Sequence, residues 1–133
     1  MPKQFTFQGK TMEDLVKMDL QQFMQLIPSR QRRTLKRNVI KVYEPLMDKI
    51  RKAKQGNRKK IIKTHARDMV IIPEMVGTTI HIHAGKLFQP VMITEEMLGH
   101  YLGEFAMTRT KVKHSAPGIG ATKSSTAIAS KAK

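Results

Sequence analysis

The β-branched residues of this chain concentrate between Lys60 and Arg109, in three short runs split by Pro73, Gly77, Gly85 and Pro90. Runs of that length between breakers read as strands, so the middle of the chain is where a small sheet must form. Residues 61–65 and 69–72 are apolar enough for two strands, with Pro73 limiting the second. In Thr79-Ile-His-Ile-His-Ala84 the alternation is clean. It places Ile80, Ile82 and Ala84 on one face and His81 and His83 on the other. Ala84-Gly-Lys86 then turns the chain into Phe88–Ile93, which predicts a hairpin over 79–93. Gly77 and Gly85 are expected to serve the backbone, with positive φ at one or both.

The flanks have helical rather than strand periodicity. Thr11-Met-Glu-Asp14 has the form of a capping box, followed by an apolar face of Met12, Leu15 and Val16. Asp19 can cap a second helix in which Leu20, Phe23, Met24 and Ile27 fall at i, i+3, i+4 and i+7, and Pro28 ends it. Ser29 is the expected cap of a third helix over 30–37, which holds five basic residues and a single Leu. That composition leaves it little to bury. Pro45 suits the first turn of a fourth helix and Gly56 its exit, with Leu46, Ile50 and Ala53 along one side. Thr94, Glu95 and Glu96 open a short helix that Gly99 ends.

Charge decides what such a fold is for. The chain carries a formal net charge of +15, and its distribution is uneven. Residues 28–67 hold fifteen Lys/Arg against two acids, residues 68–107 one Lys against five acids, and 108–133 six Lys/Arg and no acid. A compact chain with that excess repels itself, so a polyanionic partner is the natural reading. The basic surface comes from flanks around a mildly acidic centre. Residues 111–133 have only Val112, Ile119 and Ile128 as branched apolar side chains. By itself this tail cannot offset the entropy of ordering, and it is expected to order only against RNA.

Other chemistries find weak support. The absence of Cys excludes disulfides and thiolate metal sites. His81 and His83 share a strand face, and His65 could join them in a metal-dependent hydrolase. A metal site needs further ligands, however, and acids are scarce nearby. Ser115 beside His114 is adjacency in a tail, not a nucleophile with its base. Gly118-Ile-Gly120 lacks the Lys and the strand-to-helix setting of a phosphate-cradling loop. The ten Met residues read as core gap-fillers. No apolar run approaches the roughly 18 residues of a membrane span, and Met-Pro-Lys-Gln-Phe lacks a signal peptide's apolar segment.

The central motifs carry a resemblance. Lys63-Thr-His-Ala-Arg-Asp-Met69, Ile72-Pro-Glu-Met-Val-Gly77, His83-Ala-Gly-Lys86 and Glu96-Met-Leu-Gly-His-Tyr-Leu-Gly-Glu-Phe105, closed by Thr108-Arg109, resemble the small-subunit ribosomal protein nineteen family in order and spacing. Arg30-Gln-Arg-Arg33 and Lys113-His-Ser-Ala-Pro-Gly-Ile-Gly-Ala-Thr-Lys-Ser-Ser125 resemble its archaeal and eukaryotic branch, where the eukaryotic member is called small-subunit protein fifteen. Ala127–Lys133 departs from the pattern.

The resemblance implies an α+β fold: a small three-stranded sheet with flanking helices, an N-terminal helical extension and a basic C-terminal tail. The expected division is 1–44 as helical and basic extension, 45–109 as rRNA-binding core and 110–133 as extended tail. It further implies a cytoplasmic protein on the ribosome, bound to the 3′ major domain of small-subunit rRNA in the head. The implied neighbours are small-subunit proteins thirteen and fourteen and, through an inter-subunit bridge, the large subunit. The tail would run towards the decoding region and the tRNA there.

Charge and resemblance together set the candidate RNA contacts. They are Arg30, Arg32, Arg33, Lys36 and Arg37 on the third helix, and Arg58, Lys59 and Lys60 in the link. Lys63, His65, Arg67, His81, His83, Lys86 and His100 follow in the centre, then Arg109, Lys111, Lys113, His114 and Lys123. No catalytic residue, metal ligand, cofactor or membrane contact is expected. A free-standing nucleic-acid-compacting protein is the rival reading, and sedimentation with small subunits separates the two.

Overall fold

The alternation in Thr79–His83 is the template on which the sheet is built. In the computed structural model, which describes residues 5–57 and 60–112 (for 38–41 the backbone alone), that segment is the central strand. Three elements make the main sheet: β3 (Ile62–Thr64), β4 (Thr79–His83) and β5 (Phe88–Met92), in the order β3-β4-β5. The hairpin pairs Thr79 with Met92, Ile80 with Val91, His81 with Pro90 and His83 with Phe88. Its turn closes through Ala84 N–H donating to the Leu87 carbonyl at 2.8 Å, with Gly85 at φ +94°. Gly77, at φ +81°, likewise lets its N–H reach the Ile93 carbonyl at 2.9 Å. Both glycines occupy the left-handed region that a Cβ would strain. Pro90 fits because β5 is an edge strand.

Strand β3 runs parallel to β4, Ile62 beside Ile80 and Thr64 beside Ile82. A parallel pair needs a crossover. Residues 65–78 supply it in an unusual way, because Met69, Val70, Ile71 and Ile72 are all buried without forming a strand. The strand expected at 69–72 is thus corrected to an extended, buried segment with one bridge, Val70 to Tyr101. Three of its backbone hydrogen bonds go to the chain returning at 99–103: Ile71 N–H to His100 O at 2.8 Å, Gly99 N–H to Ile71 O at 3.1 Å, Leu102 N–H to Met69 O at 2.9 Å. Two features break the regular ladder, the positive φ of Gly99 and the 3₁₀ turn Leu102–Phe105. Further 3₁₀ turns cover Pro73–Met75 and Glu95–Met97. The second replaces the helix expected after Thr94, whose side chain makes no cap bond.

Ahead of the sheet a short hairpin, β1 (Thr6–Phe7) and β2 (Lys10–Thr11), leads into four helices. These are α1 (Met12–Lys17), α2 (Leu20–Leu26), α3 (Ser29–Val42) and α4 (Glu44–Lys54). The capping box at Thr11 and Asp14 forms, and hydrogen bonds from Thr11 hold the Asp14 carboxyl below its usual range. Asp19 caps α2 through the Leu20 N–H at 2.8 Å. Val16 is not on the buried face as expected. It stands 59% exposed, because a helix of six residues aims one apolar position inward and Leu15 takes it.

Helix α3 differs most from expectation. It is longer, and Pro28, not Ser29, holds its cap position, with no side-chain cap bond. Leu35 buries to 2% exposure and pins the helix to the protein, so the cationic helix is anchored rather than free. Leu15, Phe23, Ile27 and Leu35 join Leu46, Met47, Ile50, Ile62, Ile80, Ile82, Ile93 and Leu102 in one core cluster.

Tyr43 links α3 to α4 and is buried. Its hydroxyl donates to an Asp68 carboxylate oxygen. Burial, and then the Asp68 carboxylate, push the phenol from its ordinary 10.0 up to about 12. A raised folded pKa adds stability that is complete below the ordinary tyrosine range and lost as pH climbs to about 12. An alkaline unfolding limb in that window is therefore expected. Tyr43→Phe should remove it and cost about 1.5–3 kcal/mol at neutral pH, the range for a hydrogen bond to a charged group. Urea titrations of both proteins across that window test this, and an unchanged limb in the variant would take the bond out of the account.

Candidate nucleic-acid interface

Cations gather on three parts of the described surface. On α3, Arg30, Arg33, Lys36 and Arg37 are exposed, and the depression beside them is lined by Ser29, Arg30, Arg32, Arg33 and Lys36. Helical spacing sets this cluster: with Leu35 turned inward, the neighbouring basic positions are left outward. Extended phosphate backbones suit such a surface, since phosphates need charge and hydrogen-bond donors rather than an enclosed pocket.

A second group surrounds the start of the sheet. Lys54 at the end of α4, Lys60, Thr79 and His81 line a cleft together with Ala53, Ile61 and Ile62. Gly56, at φ +75°, turns the chain out of α4 and carries it to this cleft. The third group lies on the outer face of the sheet. Lys63, His81 and Pro90 stand in one cross-strand row, and His83 and Phe88 in the next. Lys63 and His65 are exposed, while His81, His83 and Phe88 are half-buried. Lys86 is exposed at the hairpin tip, as are Arg109 and Lys111 beyond the last 3₁₀ turn. Arg58, Lys59, Lys113, His114 and Lys123 lie outside the described residues.

Several predicted contacts have internal partners. Arg32 donates from Nε to the Met24 carbonyl at 2.9 Å and from Nη2 to those of Gln25 and Ile27 at 3.2 and 3.0 Å. It closes the C-terminal end of α2, where helix carbonyls lack intrahelical partners. Arg67 donates to the carbonyls of His83 at 2.6 Å, Gly103 at 2.8 Å and Ala106 at 2.6 Å, tying the hairpin to the last 3₁₀ turn. His100 Nδ1 sits 2.7 Å from Glu104 Oε2, and Glu104 Oε1 accepts the Tyr101 N–H. Arg51 on α4 pairs with Glu74 at 3.0 Å, which raises the guanidinium's pKa further. Sequence reading counts positive charges. It does not reveal which of them already face a carbonyl across the fold.

Among the residues absent from the sequence-derived set, Lys54 in the cleft and Phe88 on the sheet bear on binding. Phe88 was legible in principle, because the hairpin register places it opposite His83. Among the described residues no group of three or more His, Cys, Asp or Glu side chains is arranged to hold a metal ion. The His65 and His83 rings lie tilted at 4.4 Å between centroids, against Phe88. Nor, among those residues, is any helix long and apolar enough to cross a membrane.

The cationic helix, the basic cleft and the sheet between them fall largely within one family match. The family model for ribosomal protein S19 matches residues 33–114, from within α3 through all three sheet strands and past the last 3₁₀ turn. That span exceeds half of the 133 residues and takes in the motifs of the central region. The chain belongs to the ribosomal protein S19 family, and with it to the rRNA-binding proteins of the small ribosomal subunit.

Proposed function

We propose that the protein is a structural constituent of the small subunit that binds the 3′ major domain of its rRNA in the head. There it lies near the bridge to the large subunit and the decoding region, with small-subunit proteins thirteen and fourteen as neighbours. Residues 45–109 act as the rRNA-binding core, and the basic segments before and after it add phosphate contacts. Arg109 and Lys111 begin the tail's path along RNA. The observation that carries this reading is the exposed row Arg30, Arg33, Lys36 and Arg37 on a helix anchored by Leu35. Structured RNA is bound mainly through shape, phosphates and 2′-hydroxyls, and a rigid cationic helix suits that task without catalytic groups.

Filter binding to a 3′ major domain transcript over a range of salt tests the reading. Replacing Arg30, Arg33 and Arg37 by Ala should flatten the dependence of log K on log salt by roughly 0.7–0.9 for each phosphate no longer neutralised. Arg32→Ala is expected to lower the Tm as well, because its guanidinium also closes the end of α2, so it is left out of the triple variant. A triple variant with the parent's slope would take α3 out of the interface. Failure of the protein to sediment with small subunits would remove the ribosomal placement itself.

A further inference from the structure

The outer face of the sheet has a composition that phosphate binding alone leaves unused. Lys63 Nζ lies 5.4 Å from the Phe88 ring centroid. The rings of His65 and His83 meet Phe88 edge-on, with centroids at 5.1 and 5.0 Å. Gly85 N–H lies 3.4 Å from His83 Nδ1, which holds that imidazole in place. The three strands contribute Lys63, Thr79, His81, His83, Phe88, Pro90 and Met92 to this face, and no carboxylate. Ile80 and Ile82 point the other way into the core, so the rings stand on the side of the sheet away from it.

We infer that this face is a base-stacking platform, on which an unpaired nucleobase of the bound RNA stacks against the His65–His83–Phe88 cluster while Lys63 meets its phosphate. The inference rests on the RNA-binding reading above and deepens it. Rings held by strand pairing are positioned at little entropic cost, and unstacked RNA bases are read on Phe and His side chains. Lys63, now over the Phe88 ring, would move to the phosphate as the base enters. The charge on the face points to RNA rather than to a protein neighbour. An adjacent cation favours phosphate, and the strands place no acid on this face to repel it. Phosphate contacts on α3 would hold the RNA, and this face would select a segment with a base free to enter.

The chain has no Trp, so Phe88→Trp places a single reporter on the platform. The full-length variant is titrated with a 3′ major domain transcript, following indole fluorescence and its accessibility to iodide, with filter binding in parallel. Saturable quenching and loss of iodide access at the concentration that gives retention are expected. Phe88→Ala should weaken binding roughly 5- to 150-fold, the range for removing one stacked base. Its salt slope should match the parent's, because stacking releases no counterions. Retention without any change in the indole would overturn the platform and leave phosphate binding standing. Shielding that appears only in assembled subunits, and not with the transcript, would overturn it in favour of a protein contact. Absence of binding by the parent protein would overturn this inference together with the reading beneath it.

Discussion

Arg67→Ala is expected to destabilise the protein by about 2–4 kcal/mol without altering the salt dependence of RNA binding. The guanidinium bridges three carbonyls that belong to different parts of the chain, His83 at the end of β4 and Gly103 and Ala106 at the last 3₁₀ turn. Each carbonyl left unpaired in a partly buried setting costs about 1–3 kcal/mol, and partial access of water holds the total below the sum. Arg67→Lys should rescue little, because one ammonium cannot reproduce a planar fork with donors pointing three ways. Gly103 sharpens the test. A Cβ there would lie 3.0 Å from both the Arg67 Cβ and its carbonyl oxygen, so Gly103→Ala should damage the same junction. Urea melts with hydrogen exchange at residues 99–103 measure this directly. A melt of Arg67→Ala within about 0.5 kcal/mol of the parent, the ordinary range for surface changes, would mean the bridge is not holding the fold.

Phe23→Ala should cost about 3–5 kcal/mol, the range for removing a buried aromatic side chain. Phe23 is 1% exposed, stacks with Phe7 at 6.0 Å between centroids, and shares the core cluster with Leu15 and Ile27. Set against a typical total of about 5–15 kcal/mol, this is a large fraction of the protein's stability. The variant also asks whether α1 and α2 fold with the sheet. Because their apolar residues enter the same cluster as Ile80 and Leu102, one cooperative transition is expected, with an unchanged denaturant slope at a lower midpoint. A separate early transition, or a midpoint that does not move, would make the N-terminal helices an independent unit.

Much of the fold could be read from local rules. The capping box at Thr11, the Asp19 cap, Pro45 at the start of α4 and the hairpin over 79–93 each depend on residues within a few positions of one another. The structure bears them out. The positive φ of Gly77 and Gly85 follows for the same reason, since both stand at turns beside strands with a clear alternation. Local rules failed where a distant partner decided the outcome. Met69–Ile72 reads as a strand by composition, yet its partner at 99–103 is bent by Gly99 and the 3₁₀ turn, so only one bridge forms. The stretch 30–37 reads as a cationic helix with little to bury. Leu35 meets the core formed by other helices and anchors it.

The candidate interface divides along the same line. By itself the sequence determined that the protein is basic, where the excess lies, the α+β plan with a small central sheet, and the motifs that place it among S19 proteins. Charge and short-range pattern are properties of residue type and spacing, and no fold is needed to read them. Only the tertiary structure decided which cations are occupied: Arg32 at the end of α2, Arg67 across three carbonyls, and Arg51 with Glu74. It also decided that His65, from a segment beyond β3, joins His83 and Phe88 of the hairpin in one cluster. A guanidinium is equally charged whether it faces water or a carbonyl, and two rings far apart in sequence gain a common face only through strand pairing. Both depend on contacts between distant residues, which exist only once the chain has closed on itself.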